Sequence, residues 1–267
     1  MAAIERENVD TAKHVQDHQI SGRLQPGSSD STKTSTEDKE QEQNTAEAVR
    51  WDLVMENYST QQELWPQSGQ HILAHFDDVS VVVYQAFKPS IAEFAVQNQR
   101  FGGPHFSFER MTWIKTSFMW MMYRCGWAQK TNQERVLAVR LKRDGFEDIL
   151  SKAITGQKQQ AQKLEKKDFT VRLQWDPDHG PMGEKLQRRA IQLGIKGKTL
   201  IDYATTYILN IKDITDFVHE QYNILETQGQ QAILTPRERV YTPSNSQICQ
   251  QLDLACCFEQ TVVSLGH

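Results

Sequence analysis

Aromatic residues and cysteine are missing from the first fifty positions: Phe, Trp, Tyr and Cys do not occur before Trp51. That stretch is rich in Ser, Thr, Gln, Asp, Glu and Lys, and it buries too little apolar surface to offset the entropy of ordering it. Residues 1–50 are therefore predicted to be a disordered polar tail. Long apolar runs are missing throughout, and no stretch approaches the ~18 residues of a membrane span. The N-terminus lacks the basic, apolar and small-residue blocks of a signal peptide, and its many acidic residues disfavour a transit peptide. The cysteines Cys125, Cys249, Cys256 and Cys257 form no C-x-x-C pair. They read as free thiols of a reducing compartment rather than as a zinc site. The expectation is a cytoplasmic or nuclear protein with no membrane and no metal.

Catalytic signatures are scarce as well. There is no glycine-rich phosphate loop, no H-E-x-x-H and no G-x-S-x-G, and Gly102-Gly103 reads only as a turn. A strong charge imbalance is absent too. The tail holds ten acidic and six basic residues, which accounts for the whole net charge of -4. The rest is close to neutral, so bulk charge points to neither nucleic acid nor membrane.

What is present is a recurring strand-then-helix pattern across 51–242. The run Val81 to Phe87 is followed by Pro89 and a helical face of Ile91, Phe94 and Ala95. Val136 to Leu141 leads into Phe146, Ile149 and Leu150, and Tyr207 to Ile211 into Ile214, Phe217 and Val218. Apolar runs of this length read as strands, and i, i+3, i+4 spacing as helices. Alternation predicts a further strand over 171–175, then a turn over 176–181 and a helix over 183–193 stopped by Gly194. The reading is one α+β domain over 51–242, with a mixed or antiparallel sheet and packed amphipathic helices. Residues 243–267 are predicted to be a poorly ordered C-terminal tail.

Two stretches could carry chemistry. Between 110 and 143 there are eight Lys or Arg and a single acid, Glu134. Trp113, Trp120 and Trp127 are seven apart and would share a face if the segment were helical. Arg110, Lys115 and Arg124 among them suggest an anionic pocket, with cationic groups for phosphate and aromatic faces for a base. The competing reading is that Trp and Met fill the core while basic stems lie along its edge. The second stretch is Arg172-Leu173-Gln174-Trp175-Asp176-Pro177-Asp178-His179. Asp176, Asp178 and His179 at a strand end could form an acid–base site, though Asp-Pro-Asp is also ordinary turn chemistry.

Several phrases together resemble a known family. Gly69 to Asp78, Arg110 to Lys115, Trp120 to Arg124, Arg172 to His179 and Arg188 to Gly194 look like domain of unknown function 4291 over roughly 60–242. That family implies no activity. A weaker similarity is to folds of the ADP-ribosyltransferase type, through His71-Ile72, the segment Thr112 to Phe118, and Glu238 before a final short strand. It implies an NAD-dependent transferase in which His71 holds the ribose and Tyr84 stacks on the nicotinamide. Glu238 would then assist glycosidic cleavage, where a carboxylate suits an oxocarbenium-like charge. Three functions remain open at this point: that nucleotide-using transferase, a non-catalytic nucleic-acid or nucleotide-binding module, and a small-molecule enzyme using Asp176, Asp178 and His179.

Overall fold

The computed structural model describes residues 51–255. The predicted tail over 1–50 and Cys256–Cys257 lie outside the described residues. In chain order the elements are β1 (Met55–Asn57), α1 (Tyr58–Leu64), β2 (Gly69–Gln70), β3 (Ile72–Ala74), β4 (Ser80–Phe87), α2 (Pro89–Asn98), β5 (Thr112–Lys115) and α3 (Phe118–Cys125). There follow β6 (Arg135–Lys142), α4 (Arg143–Ser151), β7 (Ala153–Thr155), α5 (Gly156–Ala161), β8 (Val171–His179) and β9 (Lys185–Ile195). The last are α6 (Gly197–Asp202), a π-helical turn (Tyr203–Tyr207), β10 (Ile208–Asp213), α7 (Thr215–Gln228), β11 (Leu234–Pro236), β12 (Arg239–Tyr241) and α8 (Ser246–Gln251).

The main sheet has eight strands, with β10-β6-β4-β5-β9-β8-β7 in order and β2 joining β9 off that path. Its pairings are antiparallel except β7–β8 and β2–β9, which are parallel. The fold is thus the mixed α+β domain expected. Alternation sends the two faces of each strand to two separate cores. One face carries Val81, Val83, Leu137, Val139, Ile191 and Leu193 against Ala92 and Ala95 of α2 and Phe146 and Ile149 of α4. The other carries Val82, Tyr84, Val136 and Ala138 against Phe118, Met121, Met122 and Cys125 of α3 and Val218 of α7.

Four expectations need correction. The segment 185–195 is a strand, not a helix. Its Lys, Leu, Gln, Arg and Ala are good helix formers, but Ile191, Leu193 and Ile195 alternate into the core and the strand is hydrogen-bonded on both sides. The turn expected at 176 is likewise still strand, and β8 runs on to His179.

The tryptophan heptad also fails. Trp113 is in β5, Trp120 in α3, and Trp127 follows the helix with a positive φ of 53°. Helix α3 begins only where the Ser117 hydroxyl accepts the Trp120 N–H, and it ends at Gly126 in the left-handed region. These caps confine it to eight residues.

Finally, the ordered chain runs past 242. Ile248, Cys249, Leu252 and Leu254 are buried in the first core, and the Trp175 indole donates to the Leu252 carbonyl. Apolar spacing in 246–254 was too short to signal this. Among the described residues no helix is long and apolar enough to cross a membrane.

Candidate functional site

Two assemblies of polar side chains lie on the α3 side of the sheet, one enclosed and one open. The enclosed one gathers around the start of α3. Ser117 caps the helix and donates its hydroxyl to Asp178 at 3.3 Å. Asp178 in turn accepts from Arg188 Nε at 2.7 Å, and both side chains are buried. The Arg188 guanidinium stands over the Trp65 ring, 4.9 Å from its centroid. From the segment between β11 and β12, Glu238 accepts the Phe118 N–H at 2.6 Å. Gln61 accepts the Glu238 N–H, and the Trp65 indole donates to the Glu238 carbonyl.

Burial pushes the Glu238 carboxyl well above the usual carboxylate range; the Phe118 N–H opposes this, and the Asp178 charge adds to it. The buried Tyr58 and Tyr84 hydroxyls find no hydrogen-bond partner among the described residues. Burial raises the Tyr84 phenol, with a smaller contribution from Glu238.

The open assembly is a cleft of roughly 400 Å³ over β5 and β9, lined among others by Met111, Trp113, Lys115, Met121, Arg124 and Gln192. Lys115 stands opposite Tyr84 on one side and Gln192 on the other. It is only 4% exposed, and it makes no hydrogen bond or ion pair among the described residues. Burial lowers its ammonium to about 8; the Arg124 charge adds to this, and Asp176 opposes it. The Gln192 amide donates to Gln174 Oε1 at 3.0 Å and also to Asp176 Oδ2. One row of cross-strand partners thus runs Lys115, Gln192, Gln174 over three strands.

The residues singled out in the sequence fall into separate places. Lys115 and Arg124 share the β5–β9 cleft, whereas Arg110 is exposed in the loop before β5 and lines none of the clefts described. Arg172 and Asp176 line a neighbouring cleft. Asp178 joins Glu238, Ser117 and Arg188 in the enclosed cluster. His179 packs instead in a cluster of near-parallel rings, its centroid 3.6 Å from Tyr123 and 5.1 Å from Trp120, with those two 5.4 Å apart. Burial holds its imidazole below the ordinary value, against the Asp178 charge.

His71 and Glu238 are not brought together. The β3–β12 register pairs Tyr241 with Ile72 and Arg239 with Ala74. Extended by one residue, it sets Glu238 opposite His75, four residues or ~13 Å along the strand from His71. The histidine nearest Glu238 in that register is therefore His75, whose ring Nδ1 meets the Arg237 carbonyl at 3.0 Å.

The sequence points to no site role for Ser117, Gln192 or Gln61, and to Arg188 only as one of a basic cluster with Lys185, Arg189, Lys196 and Lys198. A Ser before the apolar run 118–122 is a helix-start signal that would have flagged Ser117. Arg188 and Gln192 become legible only once 185–195 is a strand. Among the described residues no three His, Cys, Asp or Glu side chains are grouped to hold a metal ion.

No curated protein matches the chain. The model of the family described as Domain of unknown function (DUF4291) matches residues 71–241. That span runs from His71 to Tyr241 and takes in the ten strands from β3 to β12, the helix α3 and every residue of the Lys115 cleft. The chain belongs to the DUF4291 family.

Proposed function

We propose that this chain binds a nucleotide in the Lys115 cleft and uses it as the donor in a transfer reaction. The observation that carries the reading is Lys115, a residue only 4% exposed whose ammonium has no ion pair among the described residues. Burying such a charge alone is costly, and a phosphate placed against it offsets the cost. Arg124 supplies a second cation on the same cleft, with a guanidinium fork suited to phosphate oxygens. Trp113, Met111 and Met121 offer an apolar wall for a base.

NAD is the nucleotide this proposal puts first, on the weak sequence resemblance to folds of the ADP-ribosyltransferase type alone. Within it Glu238 is a positioning residue rather than a catalytic one. Its carboxyl is enclosed against the Phe118 N–H, where it fixes the start of α3 beside Tyr84. His71 has no part in the cleft.

The test is a thermal-shift titration of the full chain with NAD and with ATP, on the natural protein and on Lys115→Met and Arg124→Ala. Ligand at a hundred times its dissociation constant adds about 2.7 kcal/mol, enough to move the midpoint by a few degrees. A shift with either nucleotide that Lys115→Met abolishes supports binding in this cleft. Release of nicotinamide from NAD, lost in Lys115→Met, supports the transfer. Absence of any shift with both nucleotides overturns the proposal.

A further inference from the structure

A second cleft, of roughly 470 Å³, lies along the other side of β8 and includes Gln70, Gly156, Arg172, Gln174, Asp176 and Arg189 in its walls. It exists because β7 is short. The β7–β8 pairing ends at Thr155 opposite Leu173, so β8 has no strand beside it from Gln174 onward on that side. The chain then turns away into α5, and Asp253 just after α8 adds to the wall, that end being held by the Trp175 indole on the Leu252 carbonyl and by the Gln251 amide on the Ala153 carbonyl.

Arg172 reaches across this cleft toward the start of α5. Its Nη2 lies 3.9 Å from where a β-carbon on Gly156 would stand, an ordinary van der Waals distance. The Arg172 Nε is buried and finds no hydrogen-bond partner among the described residues. Neither Arg172 nor Arg189 forms an ion pair among them. The acidic groups of the cleft do not remedy this: Asp176 accepts from Gln192, and Asp253 is exposed. A buried donor on a charged group, left unpaired, costs more than an ordinary missing hydrogen bond. Natural sequences retain such a group where a ligand completes it.

We infer that this cleft is a second anion site, in which Arg172 holds a small molecule bearing a carboxylate or a phosphate and Arg189 adds a second positive charge to the wall. The planar fork of a guanidinium fits both groups, each offering two oxygens to parallel N–H donors. The site is distinct from the Lys115 cleft and does not depend on the nucleotide proposed there. Gln192 stands between them, in register with Lys115 on one side and Gln174 on the other. Lys115 and Gln174, two strands apart in that row, are about 10 Å from each other along the backbone pairing direction.

The test titrates the full chain with inorganic phosphate and, separately, with citrate, each against sodium chloride at matched ionic strength, reading the thermal midpoint and then the dissociation constant by calorimetry. The proteins compared are the natural chain, Arg172→Gln, Arg189→Gln and Lys115→Met. The expected result is a midpoint rise with at least one anion that persists in Lys115→Met. In Arg172→Gln the dissociation constant should rise about tenfold or more, the loss of one charge-assisted pair. Because Arg189 is exposed, Arg189→Gln keeps the test valid should Arg172→Gln fail to fold, and it should weaken the same anion. Response to phosphate alone or citrate alone names the ligand group. Absence of response to both anions overturns the inference, as does a response that both arginine variants leave unchanged. A response lost only in Lys115→Met assigns anion binding to the first cleft and also overturns it.

Discussion

The indole of Trp113 covers Gly194, its partner across the β5–β9 pair, so closely that a β-carbon at 194 would stand 2.9 Å from the ring carbon Cζ2. Met111 Sδ approaches the same point. The glycine is required by this close approach, and the indole in turn forms a wall of the Lys115 cleft. Gly194→Ala is expected to displace Trp113 and to cost about 1–3 kcal/mol, as overpacking does. A urea titration followed by tryptophan fluorescence measures both, and an unchanged midpoint with an unchanged emission spectrum would refute the contact.

Lys115 should cost the protein stability. A lysine lowered to about 8 in the folded state destabilises below that value, and the cost fades as pH rises from there toward the ordinary lysine value. Lys115→Met keeps the length of the side chain and removes the charge. It is expected to be more stable than the natural chain at pH 7, by up to ~3 kcal/mol, with the gap closing by pH 10. Midpoints at the two pH values check this; a less stable variant at pH 7 would show that a partner already neutralises the ammonium.

Arg188 and Asp178 form a buried pair at 2.7 Å. Removing one partner strands the other charge out of water, so Asp178→Leu and Arg188→Met should each cost about 3–5 kcal/mol. The double variant Asp178→Leu/Arg188→Met should recover much of that loss. A double-mutant cycle on chemical denaturation gives the coupling, and strictly additive losses would contradict it.

Glu238 bears on the pH profile. Its carboxyl titrates well above the usual range in the folded state because of burial. Folding therefore holds the proton more tightly than the unfolded chain does. Stability is fully present below the unfolded carboxyl value and is lost as pH rises toward the folded one. Glu238→Gln preserves an acceptor for the Phe118 N–H and cannot ionise. Its midpoint should gain on the natural chain steadily as pH rises above about 4.5. Parallel profiles from pH 4 to 8 would mean that Glu238 is ionised in the folded protein.

Ser117 links the enclosed cluster to α3. Its hydroxyl accepts the Trp120 N–H and donates to Asp178, so Ser117→Ala should cost about 1–2 kcal/mol. Ser117→Thr, which keeps the hydroxyl, should restore most of it in the same denaturation assay.

Local pattern alone determined the three strand-then-helix units at 80–98, 135–151 and 208–228. In each, the apolar spacing changes from short β-branched runs to i, i+3, i+4 within one segment, and both elements come from neighbouring residues. The motif phrases likewise carried the family, because they recur within short windows. Tertiary structure alone decided that 185–195 is a strand. Its residues favour a helix, and only hydrogen bonding to β8 and β5 together with the burial of Ile191, Leu193 and Ile195 overrides that preference. From that one element follow the Arg188–Asp178 pair, the Gln192 bridge and the close cover of Gly194. Convergence of Glu238 on Phe118 and separation of Glu238 from His71 had the same origin. They depend on which strands lie side by side, a choice made by packing between residues more than a hundred positions apart, and no local spacing encodes it.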